Sequence, residues 1–146
     1  MDLTERQREL LNVTGFVIPG NVYKIHYTIL KFGHAESPTH FTTNVTEKLL
    51  NIGAVTVIPI STKCYSIKNI VPLNLSQDSN LKPYEDENLN LQSYAIIRLP
   101  KQVELEKLFE EPATHLRGAL LDDKREEVLN ARREYIRFQF SRKGRP

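Results

Sequence analysis

The chain has 146 residues, of which 40% are hydrophobic and 26% are charged, and its formal net charge is +2. This length suits one domain with a substantial core, and this composition is typical of a soluble globular protein. No apolar run is long enough to cross a membrane, and the polar N-terminus lacks the apolar core of a signal peptide. The single cysteine, Cys64, excludes an internal disulfide, so we expect a cytoplasmic protein.

The first part of the chain predicts a short helix, then a strand, then a loop. A Thr-X-X-Gln capping box at the start predicts a helix within residues 1–15. The alternation over residues 22–29 predicts a strand that turns Tyr23 and Ile25 toward the core. Residues 31–40 combine glycine, proline and histidine, which predicts an exposed loop.

Residues 54–63 are the most β-prone stretch, and the rest of the chain is organised around them. Their valines and isoleucines predict a strand covered on both faces. Pro59 cannot donate to a β-ladder, so we expect it at a bulge, a strand end or an unpaired edge. Ser61, Thr62 and Lys63 follow, which places two hydroxyls and an ammonium group where a buried strand surfaces. Such groups can hold a phosphate, although the same residue types also open turns.

The second half predicts short strands, a long loop and a closing helix. Further strands are predicted in three places, residues 41–46, 65–75 and 91–99. The polar loop over residues 76–90 carries an acidic triplet, and loops of this length tend to be functional or mobile. A short helix or irregular turn is expected over 103–109, and a closing helix over 124–140. Residues 141–146 are predicted to fray.

The charge is concentrated at the C-terminal end of the chain. Residues 124–146 hold eight Lys or Arg and three Glu, a net charge of +5. A basic segment is compatible with an anionic partner such as nucleic acid. The helix face with Arg132, Arg133 and Arg137 could hold RNA or an acidic protein tail, or it could simply be solvated.

The order of elements predicts an α+β fold in one domain. Strands and helices do not alternate, which argues against a doubly wound parallel sheet. We therefore expect a small, strongly curved antiparallel sheet or half-open barrel over residues 16–121, with a C-terminal helix over 122–140. The sequence contains no phosphate-binding loop, dinucleotide fingerprint or zinc-binding cysteine pair. Its four histidines are scattered, so neither a metal site nor a cofactor is expected.

Two short segments carry a family resemblance. Residues 19–25, Pro-Gly-Asn-Val-Tyr-Lys-Ile, and residues 57–62, Val-Ile-Pro-Ile-Ser-Thr, resemble the opening strand and the second signature of the MazF/PemK-like toxins. These belong to bacterial toxin–antitoxin systems, in the CcdB/PemK superfamily. Residues 93–98, Gly118 and the closing helix are similar to the last part of that family. RNA-cleaving toxins of related type III systems share the same central strand.

The resemblance implies a fold and an activity. It implies an SH3-like barrel, a homodimer, a cognate antitoxin protein and a metal-independent endoribonuclease. Such enzymes cut single-stranded RNA by attack of the 2′-hydroxyl, leaving a 2′,3′-cyclic phosphate and a 5′-hydroxyl. Side chains can perform this chemistry if they move the protons and neutralise the phosphorane. Thr62 would hold a phosphate oxygen beside Ser61, and the candidate RNA-binding residues are Lys63, His40, Lys24 and Arg132.

The chain departs from the family at the position of its catalytic arginine. Ser37-Pro38 stands where the family has Arg-Pro, and serine cannot supply the charge. One of Lys31, His34, His40 or Lys63 substitutes, or the alignment is shifted, or the protein is not an active nuclease. Lys31 and His34 lie in the equivalent loop and join the catalytic candidates, because histidine can act as acid or base near neutral pH. The alternative function is a non-enzymatic SH3-like module that binds a protein partner or nucleic acid.

Overall fold

The computed structural model describes residues 18–31, 39–47, 54–63, 68–84, 87–104 and 114–143. Its strands are β1 Asn21–His26, β2 Thr39–Asn44, β3 Ala54–Ser61, β4 Ile70–Leu73, β5 Ser93–Ile96, β6 Lys101–Glu104 and β7 Thr114–Ala119. Its helices are α1 Tyr27–Leu30, α2 Leu75–Asp78 and α3 Asp122–Lys143. The helix predicted within residues 1–15, the His34 candidate and the Ser37-Pro38 pair lie outside the described residues.

These strands form one antiparallel sheet built around β3. Its order is β4-β5-β3-β2-β1-β7, and β6 also pairs with β3. One edge of β3 pairs with β2, while the other pairs with β6 near the start of β3 and with β5 near its end. The sheet curls into a half-open barrel, and α3 is the C-terminal helix of the chain. The predicted α+β fold with a curved antiparallel sheet is therefore confirmed.

The central strand is buried on both faces, as its composition predicts. Val55, Val57 and Ile58 are at most 1% exposed. Branched side chains of this kind pack well on a pleated surface. Each fully buried one contributes roughly 1.5–3 kcal/mol of hydrophobic stabilisation. β3 is therefore a major source of the stability of the sheet.

Pro59 lies inside β3 without breaking the ladder. The amide of Val45 donates to the Thr56 carbonyl at 3.0 Å, so the alternation of an antiparallel ladder directs the Pro59 nitrogen to the other edge of β3. On that edge β5 pairs with Ile60 and Ser61 and β6 pairs with residues 54–57, which leaves Pro59 unmatched. Proline lacks an amide proton, but no ladder hydrogen bond is lost at this position. The expectation that Pro59 lies at an unpaired edge is confirmed.

The strand predicted over residues 22–29 is three residues too long. β1 ends at His26, and the following residues form the single helical turn α1. The His26 ring nitrogen Nδ1 accepts a hydrogen bond from the Thr28 amide at 3.3 Å. Lys31 closes the turn in a left-handed conformation with φ of 60°, and its amide donates to the Tyr27 carbonyl at 2.8 Å. Local side-chain capping therefore overrides the strand propensity of this segment.

The second half of the chain contains four further differences from the sequence prediction. A helix or irregular turn was expected from residue 103, but residues 103 and 104 belong to β6. The sequence did not predict β7 as a strand. The loop expected over residues 76–90 begins with the helical turn α2. Helix α3 extends to Lys143, so residues 141–143 are helical rather than frayed. Short strands depend on their long-range partners, which local propensity does not report.

Helix α3 packs on the sheet through its first half. Val128 and Leu129 are 1% and 4% exposed and join the core cluster, while Tyr135 packs against it in part. Further along, Ile136 is 37% exposed and Phe140 is 72% exposed. The apolar stripe predicted along this helix is therefore buried near its start and open near its end.

Gly20 allows the start of α3 to approach β1. Its φ is +91°, and a Cβ placed there would lie 2.6 Å from Cγ of Arg125. The Gly20 carbonyl accepts a hydrogen bond from the Leu120 amide at 2.9 Å. A side chain at this position would meet both backbone strain and a steric clash. The glycine therefore joins the start of the sheet to the start of the helix.

We expect Ile58→Ala to lower the free energy of unfolding by about 2–4 kcal/mol, because it leaves a cavity in a fully buried strand. Leu91→Ala is the matched control, since Leu91 is 50% exposed, and its effect should stay below about 1 kcal/mol. Urea unfolding at equilibrium measures both values. Equal losses in the two variants would contradict the central role of β3.

Candidate functional site

Neighbouring strands bring a histidine and two hydroxyls into one row. The register pairs Ser61 with Tyr94 on β5, and Ile60 with Phe41 on β2. If this β2–β3 register is extended by one residue, His40 lies opposite Ser61. Residues directly opposite each other in an antiparallel sheet share a face, with Cβ atoms about 4.5–5.5 Å apart. We call this set the His40–Ser61–Tyr94 row.

The end of β3 combines a turn with an exposed polar pair. Ser61 is 6% exposed, and its Oγ accepts a hydrogen bond from the Lys63 amide at 3.1 Å. Thr62 and Lys63 are exposed directly beyond it. The Ser61 hydroxyl thus supports the turn as an acceptor while its own proton can still be donated. Thr62 and Lys63 are open to a ligand.

The other predicted catalytic residue within the described segments, Lys31, lies on a different part of the sheet. It is exposed and lines a cavity of about 470 Å³ together with Thr28 and the β6 residues Gln102 and Glu104. Because β6 pairs with residues 54–57, this cavity lies toward the start of β3, whereas Thr62 follows its end. The structure does not bring Lys31 together with Thr62.

A buried ion cluster involves Lys24, one of the predicted RNA-binding residues. The Glu87 carboxylate accepts hydrogen bonds from Arg117 Nη1 and Nη2 at 2.6 Å each, and from Lys24 Nζ at 2.7 Å. The Tyr84 amide donates a further bond at 2.9 Å. The Arg117 side chain is 2% exposed, Glu87 10% and Lys24 26%. The Arg117 hydrogen bonds are the largest cause that lowers the pKa of Glu87 from 4.5 to about 2.

Two aromatic rings complete this group, which we call the Glu87 cluster. The Arg117 guanidinium lies 3.6 Å from the centroid of the Tyr84 ring and 5.5 Å from that of Phe41. Lys24 Nζ lies 5.1 Å from the Phe41 centroid. Cations over aromatic faces are attracted by the ring quadrupole. Since Phe41 follows His40 in β2, the Glu87 cluster lies on the opposite face of the sheet from the His40–Ser61–Tyr94 row.

A β-bulge places Arg117 in the cluster. The pairing of β1 with β7 shifts between Tyr23, opposite Leu116, and Val22, opposite Gly118, which leaves Arg117 as the extra residue. Bulges redirect a side chain in this way. The sequence indicated the acidic triplet and the long loop, but it carried no signal that Arg117 would meet them.

Arg132 belongs to a separate surface on α3. It lines a cavity of about 330 Å³ for which all the lining residues within the described segments belong to this helix, among them Tyr135, Ile136 and Phe140. Desolvation by burial lowers the pKa of Arg132. The neighbouring Arg133 forms an ion pair with Glu47, so part of the predicted basic face is neutralised within the chain.

The described residues contain no group of three or more His, Cys, Asp or Glu side chains that could hold a metal ion. Within the same segments, none of the helices combines the length and apolarity needed to cross a membrane.

No known protein-family model matches this chain, and no curated protein sequence matches it.

Acidification should weaken the fold through Glu87. A carboxylate whose pKa is lowered from 4.5 to about 2 stabilises the fold above pH 4.5, and that contribution is lost as the pH falls toward 2. We expect a loss of about 2 kcal/mol in the free energy of unfolding between pH 5.5 and 2.5, measured by urea titration. Glu87→Gln should remove this pH-dependent part, whereas Glu104→Gln, at an exposed position of β6, should keep it. The same pH dependence in all three proteins would contradict the assignment.

Proposed function

We propose that the protein is a metal-independent endoribonuclease of the toxin type. It cuts single-stranded RNA by attack of a 2′-hydroxyl on the adjacent phosphate, leaving a 2′,3′-cyclic phosphate and a 5′-hydroxyl. The observation that carries this proposal is the His40–Ser61–Tyr94 row beside the exposed Thr62 and Lys63. The curved antiparallel sheet and the resemblance of residues 57–62 to the toxin signature support it further.

The row and its neighbours offer the groups that the reaction needs. A 2′-oxygen–phosphorus bond forms as the phosphorus–5′-oxygen bond breaks, so one proton must leave the 2′-hydroxyl and another must reach the 5′-oxygen. His40 is the group in the row that can take up the first proton near neutral pH. Lys63 can give the second proton and balance the charge on the phosphorane. Thr62 and Tyr94 can donate hydrogen bonds to phosphate oxygens.

This assignment gives His40 the role left open by the absence of the family's arginine. His40 lies two residues beyond the Ser37-Pro38 pair and faces Ser61 across the β2–β3 ladder. An imidazole can transfer a proton, and once protonated it also supplies positive charge. A single residue of this kind can therefore replace part of what the arginine does in the family.

The homodimer and the cognate antitoxin belong to the same proposal. The support for a protein partner is the outer half of α3, where Ile136 and Phe140 are exposed beside Arg132. An acidic, partly apolar antitoxin segment would complement this surface in both charge and apolarity. Arg132 then contacts the protein partner rather than the RNA.

The test is incubation of a long single-stranded RNA with purified protein in EDTA. We expect discrete fragments with cyclic-phosphate ends. His40→Gln should slow cleavage by about 100-fold or more, because it removes the proton acceptor. Thr62→Ala should slow it by about 100-fold, because it removes a hydrogen bond to the phosphorane. His26→Gln is the matched control, since His26 lies on the neighbouring strand outside the row, and it should cleave at the wild-type rate.

Circular dichroism establishes that each variant is folded before its rate is compared. RNA that stays intact with folded wild-type protein would contradict the nuclease proposal. Cleavage by His40→Gln at the wild-type rate would contradict the role of His40.

The second candidate is a non-enzymatic SH3-like module that binds nucleic acid or a protein partner. The specific observation in its favour is Ser61, whose hydroxyl already accepts the Lys63 amide in a turn. This candidate predicts RNA binding without cleavage, at an affinity that Thr62→Ala leaves unchanged. Fluorescence anisotropy between 50 and 200 mM salt should then show a log–log slope of about 0.7 per phosphate contact. A binding curve that salt does not affect would exclude the nucleic-acid version.

A further inference from the structure

The two cations of the Glu87 cluster are held by the sheet, whereas the carboxylate is carried by a loop. Lys24 is on β1, and Arg117 is at the bulge of the adjacent strand β7. Glu87 lies between two buried anchors of its loop, Leu81 and Leu89, each 7% exposed. The loop can therefore release Glu87 while its two ends stay in the core. Release breaks the hydrogen bonds that the Glu87 carboxylate accepts from Arg117, Lys24 and the Tyr84 amide.

The cations outnumber the acid that they bind. Arg117 holds both oxygens of Glu87 with its two terminal nitrogens, and Lys24 adds a third side-chain bond. A guanidinium binds two oxygens of a phosphate in the same forked geometry as a carboxylate. Counted over the described residues, the site without Glu87 would carry two positive charges, which suits a phosphate group at least as well as a carboxylate.

An exposed aromatic ring lies beside Arg117, one of these cations. Tyr84 is 61% exposed, and one face of its ring lies 3.6 Å from the Arg117 guanidinium. Nucleic-acid bases stack on aromatic side chains next to basic groups in single-strand binding proteins. An aromatic ring beside a paired lysine and arginine is a better match to a nucleotide than to an isolated carboxylate.

We infer that Lys24, Arg117 and Tyr84 form a nucleotide subsite for single-stranded RNA, which Glu87 occupies and closes in the free protein. Arg117 and Lys24 hold a phosphate, and Tyr84 stacks on the attached base. The choice of RNA as the ligand rests on the proposed function. Lys24 lies opposite Phe41, one residue along the strands from the His40–Ser61–Tyr94 row and on the other face of the sheet. An RNA that passes around this end of the sheet would contact both.

The competing explanation is that Glu87 only fastens its loop to the sheet. In that case removal of its charge lowers stability and leaves two repelling cations, but it does not improve the binding of any ligand. The subsite makes the opposite prediction, because an internal competitor lowers the apparent affinity of the ligand in proportion to the closed population. Affinity therefore separates the two explanations, whereas stability does not.

The test measures binding of a 2′-O-methyl RNA oligonucleotide, which lacks the attacking hydroxyl and cannot be cut. Fluorescence anisotropy in EDTA compares the wild type with Glu87→Gln and with the control Glu104→Gln. We expect Glu87→Gln to bind about tenfold more tightly. Adding Lys24→Gln to Glu87→Gln should abolish this gain, and Glu104→Gln should match the wild type.

Unchanged or weaker binding by folded Glu87→Gln would overturn the subsite, and so would tighter binding of an oligoglutamate peptide than of the RNA. If Glu87→Gln does not fold, amide hydrogen exchange of the wild-type protein with and without RNA tests the subsite instead. The Tyr84 amide, which donates to the Glu87 carboxylate, should exchange faster at saturating 2′-O-methyl RNA, and unchanged or slower exchange would overturn the subsite. Cleavage of unmodified RNA tests the nuclease separately. If the wild type cleaves RNA but Glu87→Gln does not bind RNA more tightly, only the subsite proposal is contradicted. If Glu87→Gln binds more tightly but no RNA is cleaved, only the nuclease proposal is contradicted.

Discussion

The double pairing of β3 is the constraint on which the rest of the structure depends. One edge of this strand carries β2, and through it β1 and β7, while the other edge is shared between β6 and β5. A strand with partners on both edges and apolar neighbours on both faces cannot shift its register without exposing its whole buried set. This fixed register places His40, Ser61 and Tyr94 in one row, and it places Lys24 beside Phe41 on the opposite face.

The two candidate sites differ in how their charge is satisfied. At the end of β3, Thr62 and Lys63 are exposed, and a ligand can reach them without a change in the fold. In the Glu87 cluster the Arg117 cation is almost fully buried, where an unpaired charge is costly, so the chain supplies its own carboxylate. A nucleic-acid ligand would replace that carboxylate with another anion. The first site therefore has exposed polar groups, whereas the second has a cation whose charge is balanced within the chain.

Sequence patterns identified the elements whose stability is local or fully buried. Residues 54–63 combine β-branched residues with a polar ending, and that pattern is visible without any partner strand. The closing helix was similarly visible from its periodicity, apart from its last turn. Three features were not predictable from local pattern: α1, which a side-chain cap of His26 stabilises; β6, which exists only because β3 offers a free edge; and β7, which is set by its pairing with β1. Local propensity is too weak to decide short segments that a distant partner can override.

The sequence by itself determined the fold class, the central strand, and the hydroxyl and ammonium groups that follow it. It also indicated that the acidic loop over residues 76–90 was worth attention. Only the tertiary structure decided which distant residues lie near one another: His40 and Tyr94 lie on the strands that flank Ser61, and Glu87 binds Lys24 and Arg117. It also separated Lys31 from Thr62. The physical reason is that register and a single bulge choose cross-strand neighbours, and both depend on the packing of the whole sheet rather than on any local run of residues.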